Sequence, residues 1–541
     1  HNQIDSLLEK FRKSYVNFPD VILIKDDLSD SQIKSLYEHS DLLVAPSRGE
    51  GFGLPIAEAM LLGIPVITTN WGGQLDFANH SNSWLIDYEF VLSTSHFDLD
   101  LSYWAEPSIE HLSLLLKKIY NLSKREIDKK VDKAKEEIKN YKWSKVADDN
   151  IEFVVKQLPS VQKKTTKIGW LSTWHSKCGI ASYSRRLTKH FTDDLVVFSP
   201  FHENYSERDE FTVVPSWDFK MEGKQNLDLL FTKIVSEEIT SFVIQFNYGF
   251  FEFEELSKLI KKCDEYNISV ILFLHSTIDP VNQKNKCLHS LLESFEICKR
   301  IFVHTLNDLN RLKDIGLVNN VSLFPHGIID SEINLTRQNK FFPNLRKSRN
   351  LSVASYGFCL PNKGFLELVE SINILRKYDI YLKLNIYSSI YSKDYYWVYQ
   401  NIKNLISNLD LGGLVNIYPE YIDEDKIVNI LSTNDLIVFP YQSSNESSSA
   451  SVRDALASLR PVLVTPLPIF DDVSSFVEYF PGFSAENLAI GLKSWYEKQL
   501  KDPLDLFEFE QLRINQLKYR RFSSLSHRIS NILQSLELND C

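Results

Sequence analysis

The amino-acid sequence predicts an α/β protein made of several domains, each built on a parallel sheet. Three observations carry that expectation. Apolar runs of strand length alternate with helix-length stretches along most of the chain, as they do in β–α–β units. The stretch RGEGFGLPIAEAMLLGIPVITTNWGG (48–73) sets a glycine loop between an apolar run and a helix. A related stretch returns at residues 435–472, so one kind of domain occurs twice. At 541 residues the chain is too long for one core, and about three or four domains are expected.

The first copy opens with NQIDSLLEKFRKSY (2–15), expected to be helical, then VILI (21–24) as a strand and SDSQIKSLYEH (29–39) as a helix capped by serine or aspartate. DLLVAPS (41–47) reads as a buried parallel strand that ends at the glycine loop. Pro55 suits the first helical turn, where a missing N–H costs nothing. WSKVADDNIEFVVKQL (143–158) closes the copy as a helix. Residues 1–157 thus hold only the later part of a domain, and LPSVQKKTT (158–166) is a polar linker. From Lys167 a fuller unit follows. KIGWLSTW (167–174), DLVVFS (194–199), FVIQFN (242–247), VILFLH (270–275), RIFVHT (300–305) and VSLFPHG (321–327) read as strands. HSKCGIASYSRRLTKHF (175–191) reads as a loop running into a helix, and FEELSKLIKKCDEY (253–266) as a helix. The basic, irregular run at 336–349 divides a domain 167–345 from a domain 346–541. The latter carries strands at LSVASYG (351–357), YLKLNIYS (381–388), VNIYPEY (415–421) and DLIVFP (435–440), and a closing helix, FSSLSHRISNILQSL (522–536).

The motif at 48–73 places Glu50 and Glu58 eight positions apart across the glycine loop. Gly51 and Gly53 let a ligand approach bare backbone. The free N–H groups at the helix start, with its dipole, make an anion site. Two carboxylates are poor phosphate ligands but good acceptors for sugar hydroxyls. The chemistry suggested is a nucleotide sugar, with diphosphate on the amides and hydroxyls on the glutamates. The plainer alternative is a strand–loop–helix with solvated acids. In the second copy the pair is Glu446 and Asp454; each copy starts on Asp–apolar–Pro (Asp41 to Pro46; Asp435 to Pro440), and a proline follows the second acid by seven residues (Pro65; Pro461).

The first stretch closely resembles the Glu-x7-Glu donor motif of retaining glycosyltransferases of family four, which have the GT-B fold: two Rossmann-like domains across a cleft. The resemblance implies a partial C-terminal donor-binding domain at 1–157, then a complete GT-B unit with an acceptor-side domain and a donor-binding domain. It implies that Glu50 faces the donor sugar and Glu58 the ribose. In the second unit, CGIASYS (178–184) resembles the family's glycine loop, with Gly179 at the cleft. FLHST (273–277) resembles the strand end with a cleft histidine, here His275; HTLNDLNRL (304–312) and FPHGI (324–328) resemble two more strand ends feeding the cleft. GFCLPNKGF (357–365) resembles the diphosphate-binding segment; Lys363 matches its basic residue, whereas its usual arginine is Phe358. Losing one charge-assisted contact to a diphosphate costs about 1.5–3 kcal/mol. Arg453 is a candidate substitute, with a surface arginine or a salt bridge as the alternative. Ser447 and Ser448, in the serine run 447–449 that replaces the glycines, are further donor-binding candidates or plain caps. His326 is a weaker functional candidate than His275, and His190 and His304 read as structural.

Composition narrows the partners. The chain is 43% hydrophobic and 24% charged, with net charge −11 and a pI near 5.7, which argues against nucleic acid as the main partner. Six cysteines without a CxxC read as reduced, structural thiols in a cytoplasmic protein. No apolar run reaches the roughly 18 residues that span a bilayer, although peripheral association at the inner membrane face stays open. No cluster has metal-ligand spacing, so neither a metal nor another cofactor is expected. The reaction implied is retaining transfer from a nucleoside diphosphate sugar to an oligosaccharide or lipid-linked saccharide, with the leaving phosphate helping to accept the acceptor's proton. The catalytic residues expected are His275, Lys363 and Glu446. YWAEPSIEHL (103–112) resembles a stretch of mannosyltransferase-like members and favours GDP-mannose, in surface polysaccharide or O-antigen assembly. The competing expectation is a non-catalytic scaffold or carbohydrate-binding module derived from such domains.

Overall fold

The computed structural model of the protein describes residues 2–93, 102–142, 144–147, 151, 167–176, 178–191, 193–201, 211–218, 225–281, 283, 285–330, 351–390, 392–444, 448–501 and 517–538. They fall into two compact units, His1–Ser93 with Tyr103–Pro159, and Ser160–Cys541 with Thr94–Ser102.

The first unit begins with helices α1 (Asn2–Ser14) and α2 (Asp30–Glu38). Gln32 Oε1 accepts from the Ser29 N–H at 2.8 Å, fixing the start of α2. Residues 21–24 form no strand: they join no sheet and leave Ile22 87% exposed. A parallel sheet of β1 (Leu43–Ala45), β2 (Val66–Thr69) and β3 (Trp84–Ile86), in that order, follows, with α3 (Leu54–Leu62) between β1 and β2. β1 is less buried than expected, with Val44 37% exposed, because it pairs with β2 alone and lies at the sheet edge. An antiparallel hairpin, β4 (Tyr88–Leu92) with β5 (Tyr103–Pro107), was not legible in the strand–helix alternation. Helices α4 (Ile109–Tyr120) and α5 (Lys124–Ile138) complete the unit, and α5 buries Ala134 and Ile138 against Ile56, Ala59 and Met60 of α3. Most of the helix expected at 143–158 lies outside the described residues.

The second unit holds two doubly wound sheets. The first comprises β6 (Lys167–Leu171), β7 (Asp194–Pro200), β8 (Thr212–Trp217), β9 (Ser241–Phe246), β10 (Ser269–Leu274), β11 (Arg300–Val303) and β12 (Val321–Leu323), all parallel, in the order β12-β11-β10-β9-β6-β7-β8. Its helices include α6 (Gly179–Thr188), α7 (Asp228–Ser236), α8 (Phe253–Glu265), α9 (Leu292–Glu296) and α10 (Leu306–Asp314). The second sheet comprises β13 (Ser352–Phe358), β14 (Lys383–Ser389), β15 (Val415–Tyr418), β16 (Leu436–Phe439), β17 (Val462–Val464) and β18 (Glu478–Tyr479), parallel, in the order β15-β14-β13-β16-β17-β18. With it go α11 (Phe365–Arg376), α12 (Tyr396–Asn408), α13 (Glu424–Ser432), α14 (Ala450–Ala457) and α15 (Ala485–Lys501). In each sheet the winding reverses beside the first strand, between β6 and β9 and between β13 and β16. Such reversals open a crevice beyond the strands' carboxyl ends, where α/β proteins bind ligands.

The last helix, α16 (Phe522–Leu538), crosses back. Its Phe522, Leu525, Ile529 and Leu533 are buried with Trp170, Tyr183 and Phe273 in the core of the first sheet, and Ser530 Oγ donates to Asp193 Oδ2 at 2.5 Å. The expected linker 336–349 lies outside the described residues. Cys178, Cys263, Cys287, Cys298 and Cys359 are free thiols. Among the described residues no helix is long and apolar enough to cross a membrane.

Candidate functional site

In the first unit the motif loop leaves β1 and enters α3. Gly53, at φ +85°, turns the chain into the helix, and Pro55 occupies its first turn. Ser47 Oγ donates to Glu50 Oε1 at 2.7 Å, and the Glu50 carbonyl accepts from the Gly73 N–H at 2.9 Å. A Cβ on Gly73 would lie 1.9 Å from the Gly51 carbonyl oxygen, so only glycine lets the two loops meet. Glu50 is half-buried, whereas Gly51 and Glu58 are exposed. Glu58 lies near Tyr37, whose phenol pKa is raised by burial and then by that carboxylate. Sequence reasoning missed a clamp on this loop. Arg48 donates to Glu106 through Nε at 2.5 Å and Nη2 at 2.8 Å, and its guanidinium lies 4.7 Å from the Trp104 ring centre. That bidentate bond pulls the Glu106 carboxyl below its ordinary range. The YWAEP segment is therefore the strand that holds the loop, tied also by the Ala105 N–H to the Arg48 carbonyl at 3.1 Å.

In the second unit the loops after β13 and β16 latch together. The Gln442 N–H donates to the Asn362 carbonyl at 2.8 Å, and Asn362 Nδ2 to the Ser443 carbonyl at 2.9 Å. Gly364 has φ +72°, and a Cβ there would lie 1.8 Å from the Pro440 carbonyl oxygen. The latch sets Lys363 with its Nζ 3.7 Å from the Tyr441 ring centre. Ser449 Oγ caps α14, accepting from the Val452 N–H at 3.4 Å, and Ser448 beside it is half-buried. Glu446 and Ser447 lie outside the described residues.

Two donor-site candidates are engaged inside the protein. Arg453 is 1% exposed; it donates to the Ser449 carbonyl and forms an ion pair with Asp472. Arg520 Nη1 donates to the Asp472 carbonyl at 2.5 Å. Arg453 thus sits in the interior with its charge matched by Asp472, the salt-bridged alternative of the sequence reading. Asp454, 5% exposed, lies 3.5 Å from Arg186 Nη1 of α6.

On the side of the first sheet, Gly179 opens α6, exposed and with no atom within 4 Å of a would-be Cβ. His275 ends β10, and its Nε2 lies 2.8 Å from Gln245 Oε1. With that oxygen accepting, Nε2 carries the proton and Nδ1 keeps its lone pair. His275, His304 and His326 surround Tyr183, their ring centres 5.1, 5.5 and 4.8 Å from it. Burial lowers all three imidazoles below their ordinary 6.5, so they are neutral at pH 7. They offer hydrogen bonds to a hydroxyl rather than positive charge. His304 Nδ1 pairs with the Phe324 carbonyl at 2.9 Å, while Tyr183 Oη, His304 Nε2 and Gln245 Nε2 are buried without a hydrogen-bond partner. Among the described residues no group of three or more His, Cys, Asp or Glu is placed to hold a metal ion.

Beyond the carboxyl ends of β13 and β14 a cavity opens, lined by residues that include Phe358, Tyr387, Glu420 and Ser451. Phe358 is 38% exposed there. Ser451 belongs to the first turn of α14, so the cavity adjoins the helix start.

Residues 9–89 match the family described as Glycosyl transferases group 1. No curated protein matches the chain in sequence. A glycosyltransferase from Rickettsia africae is similar in structure with TM-score 0.54 and 13% identity, covering 69% of this chain and 99% of its own. Anabaena HepE in complex with UDP is similar with TM-score 0.52 and 13% identity, over 68% of this chain and 100% of its own. Sucrose-phosphate synthase from Thermosynechococcus elongatus gives TM-score 0.50 and 12% identity over 69% and 99%. With two doubly wound parallel sheets and these structural relatives, the protein has the GT-B fold, and residues 9–89 carry a glycosyl transferase group 1 segment.

Proposed function

We propose that the second unit is a glycosyltransferase that moves a sugar from a nucleoside diphosphate sugar to a saccharide hydroxyl. The observation that carries this reading is the repeated acid pair. Glu50/Glu58 and Glu446/Asp454 each follow a strand of a parallel sheet, with the second acid on the next helix, and the first copy falls inside the segment that matches glycosyl transferases group 1.

Charge grows on the departing diphosphate as the anomeric carbon becomes oxocarbenium-like. Fixed donors aimed at that charge give the main stabilisation. Lys363 and the amides at the start of α14 supply them, with Ser447 and Ser448 in the same loop. By the family resemblance Glu446 is assigned to the donor sugar and Asp454, beside Arg186, to the ribose. His275 accepts a sugar hydroxyl at Nδ1. The acceptor hydroxyl attacks the anomeric carbon on the face the phosphate leaves and passes its proton to that phosphate, so configuration is retained without an enzyme nucleophile, and positioning of the acceptor supplies most of the rest. Neither metal nor cofactor takes part.

GDP-mannose is the donor favoured, and a growing oligosaccharide or lipid-linked saccharide the acceptor, in surface polysaccharide assembly in the cytoplasm at the inner membrane face. Gly179 admits the donor at the start of α6. In the first unit Glu50, Gly51, Gly53 and Glu58 bind a donor.

A non-catalytic scaffold is the second reading, favoured by the internal ion pairing of Arg453 and by Phe358 at the diphosphate segment. Release of nucleoside diphosphate from UDP-, GDP- and ADP-sugars decides between them. A transferase leaks some sugar to water, and a scaffold releases none. Thermal shift on the same panel should show stabilisation of about 2.7 kcal/mol at 100 times the dissociation constant of the correct donor.

A further inference from the structure

The cavity beyond β13 and β14 carries more information than a place for a donor. Its walls are aromatic: Tyr356 and Phe358 from β13, Tyr387 from β14 and Tyr421 after β15. The Tyr387 ring stacks on Tyr418, with ring centres 5.0 Å apart and planes within 14°, so its plane is fixed. Ser451 lines the cavity toward α14. A Cβ on Gly357 would be 3.7 Å from both Ser451 Oγ and Tyr441 Oη, and Lys363 lies over the Tyr441 ring. One end of the cavity therefore approaches the proposed diphosphate site. The flat aromatic walls suit a nucleobase, whose faces stack on such rings.

One polar group of the lining distinguishes bases. Glu420 lines the cavity, is exposed, and makes no hydrogen bond or ion pair among the described residues. An ionised carboxylate only accepts hydrogen bonds. Guanine presents two adjacent donors, N1–H and the N2 amino group, which a carboxylate takes as a bidentate, charge-assisted pair. Uracil presents one N–H between two carbonyls that repel a carboxylate. Adenine and cytosine each set a ring-nitrogen acceptor beside their amino group, so one carboxylate oxygen meets a lone pair. We propose that this cavity binds a guanine base and that Glu420 sets the preference, which makes the donor of the second unit a guanosine diphosphate sugar. The inference rests on the reading of this unit as a nucleotide-sugar transferase.

Calorimetric titration of the full chain with GDP, IDP, UDP and ADP tests it. The titrations use a Glu50→Ala, Glu58→Ala background that removes the first unit's acid pair from the readout. GDP is expected to bind at least tenfold tighter than UDP or ADP, with IDP, which lacks the N2 amino group, weaker than GDP. Glu420→Gln is expected to weaken GDP at least tenfold and to leave UDP and ADP within about twofold, since a wrong partner at one bidentate contact discriminates on this scale. Because Glu420 is exposed, the substitution does not disturb a core. Equal binding of GDP, UDP and ADP, or an undiminished GDP preference in Glu420→Gln, overturns the assignment of Glu420 and leaves the transferase reading standing. Failure of every nucleotide to bind overturns both.

Discussion

Arg453 and Asp472 form an ion pair in which both side chains are nearly shut off from solvent, 2% and 1% exposed. Arg520 leans on the same carboxylate group and stacks 4.7 Å from the Phe476 ring centre. Removing one partner would leave a buried charge unmatched, which costs about 3–5 kcal/mol. Asp472→Asn is therefore expected to lower the stability of the second unit by about that amount in denaturant unfolding; a loss below about 1 kcal/mol would mean the pair is solvated. The sequence showed Arg453 next to an acid of the motif and on a helix, open either to a ligand or to solvent or a salt bridge. Its real partner is nineteen residues away on another element, and Arg186, which meets Asp454, lies 268 residues from it. Pairings across that separation depend on how elements pack, and no local pattern encodes them. Gly53, expected to leave backbone open to a ligand, is buried and takes the left-handed turn into α3.

At the scale of elements, the apolar runs located strands well wherever a neighbouring strand existed to pair with. The run at 21–24 has strand composition and no partner, and it stays unpaired. The related strands β1 and β16 have similar sequences but different burial: β16 lies between β13 and β17 and is wholly buried, whereas β1 has β2 alone. Neighbours, not composition, decide that difference. The latch between the loops after β13 and β16 depends on Gly364. Gly364→Ala adds a left-handed penalty of about 1–2 kcal/mol and a clash with the Pro440 carbonyl. Its expected result is a destabilised unit with weaker donor binding; unchanged donor affinity would show that the latch does not position Lys363. The histidines at the ends of β10, β11 and β12 give a pH signature. They are neutral in the folded protein, while an unfolded imidazole protonates near its ordinary 6.5. The unfolded chain then binds more protons below that pH, so stability is full above about 6.5 and falls as pH drops. For His304, 1% exposed, the slope is up to about 1.4 kcal/mol per pH unit. His304→Asn keeps a donor for the Phe324 carbonyl and removes the titration. Urea midpoints between about pH 7.5 and 5.5 should fall less steeply in this variant than in the parent; identical slopes would remove His304 from the account.

For the molecule as a whole, the repeat was the most informative signal. It pointed to two related domains, and the two sheets resemble each other in part. β1-β2-β3 follows the pattern of β16-β17-β18, the later half of a doubly wound sheet. The hairpin β4–β5 and the return of α16 to the first sheet's core were not legible. The hairpin breaks the alternation of strand and helix, and the destination of a terminal amphipathic helix is set by which core has an uncovered face. The central claim is that turnover belongs to the second unit. Sugar transfer, or sugar release to water, should be measured for Glu446→Ala, Lys363→Ala and Glu50→Ala. Loss of a donor aimed at developing charge typically costs about 10²–10³ in rate, so Lys363→Ala should fall by about that factor; Glu446→Ala, which removes the acceptor assigned to the donor sugar, should also fall, while Glu50→Ala keeps the parent rate. Activity abolished by Glu50→Ala and retained in the other two would contradict the account.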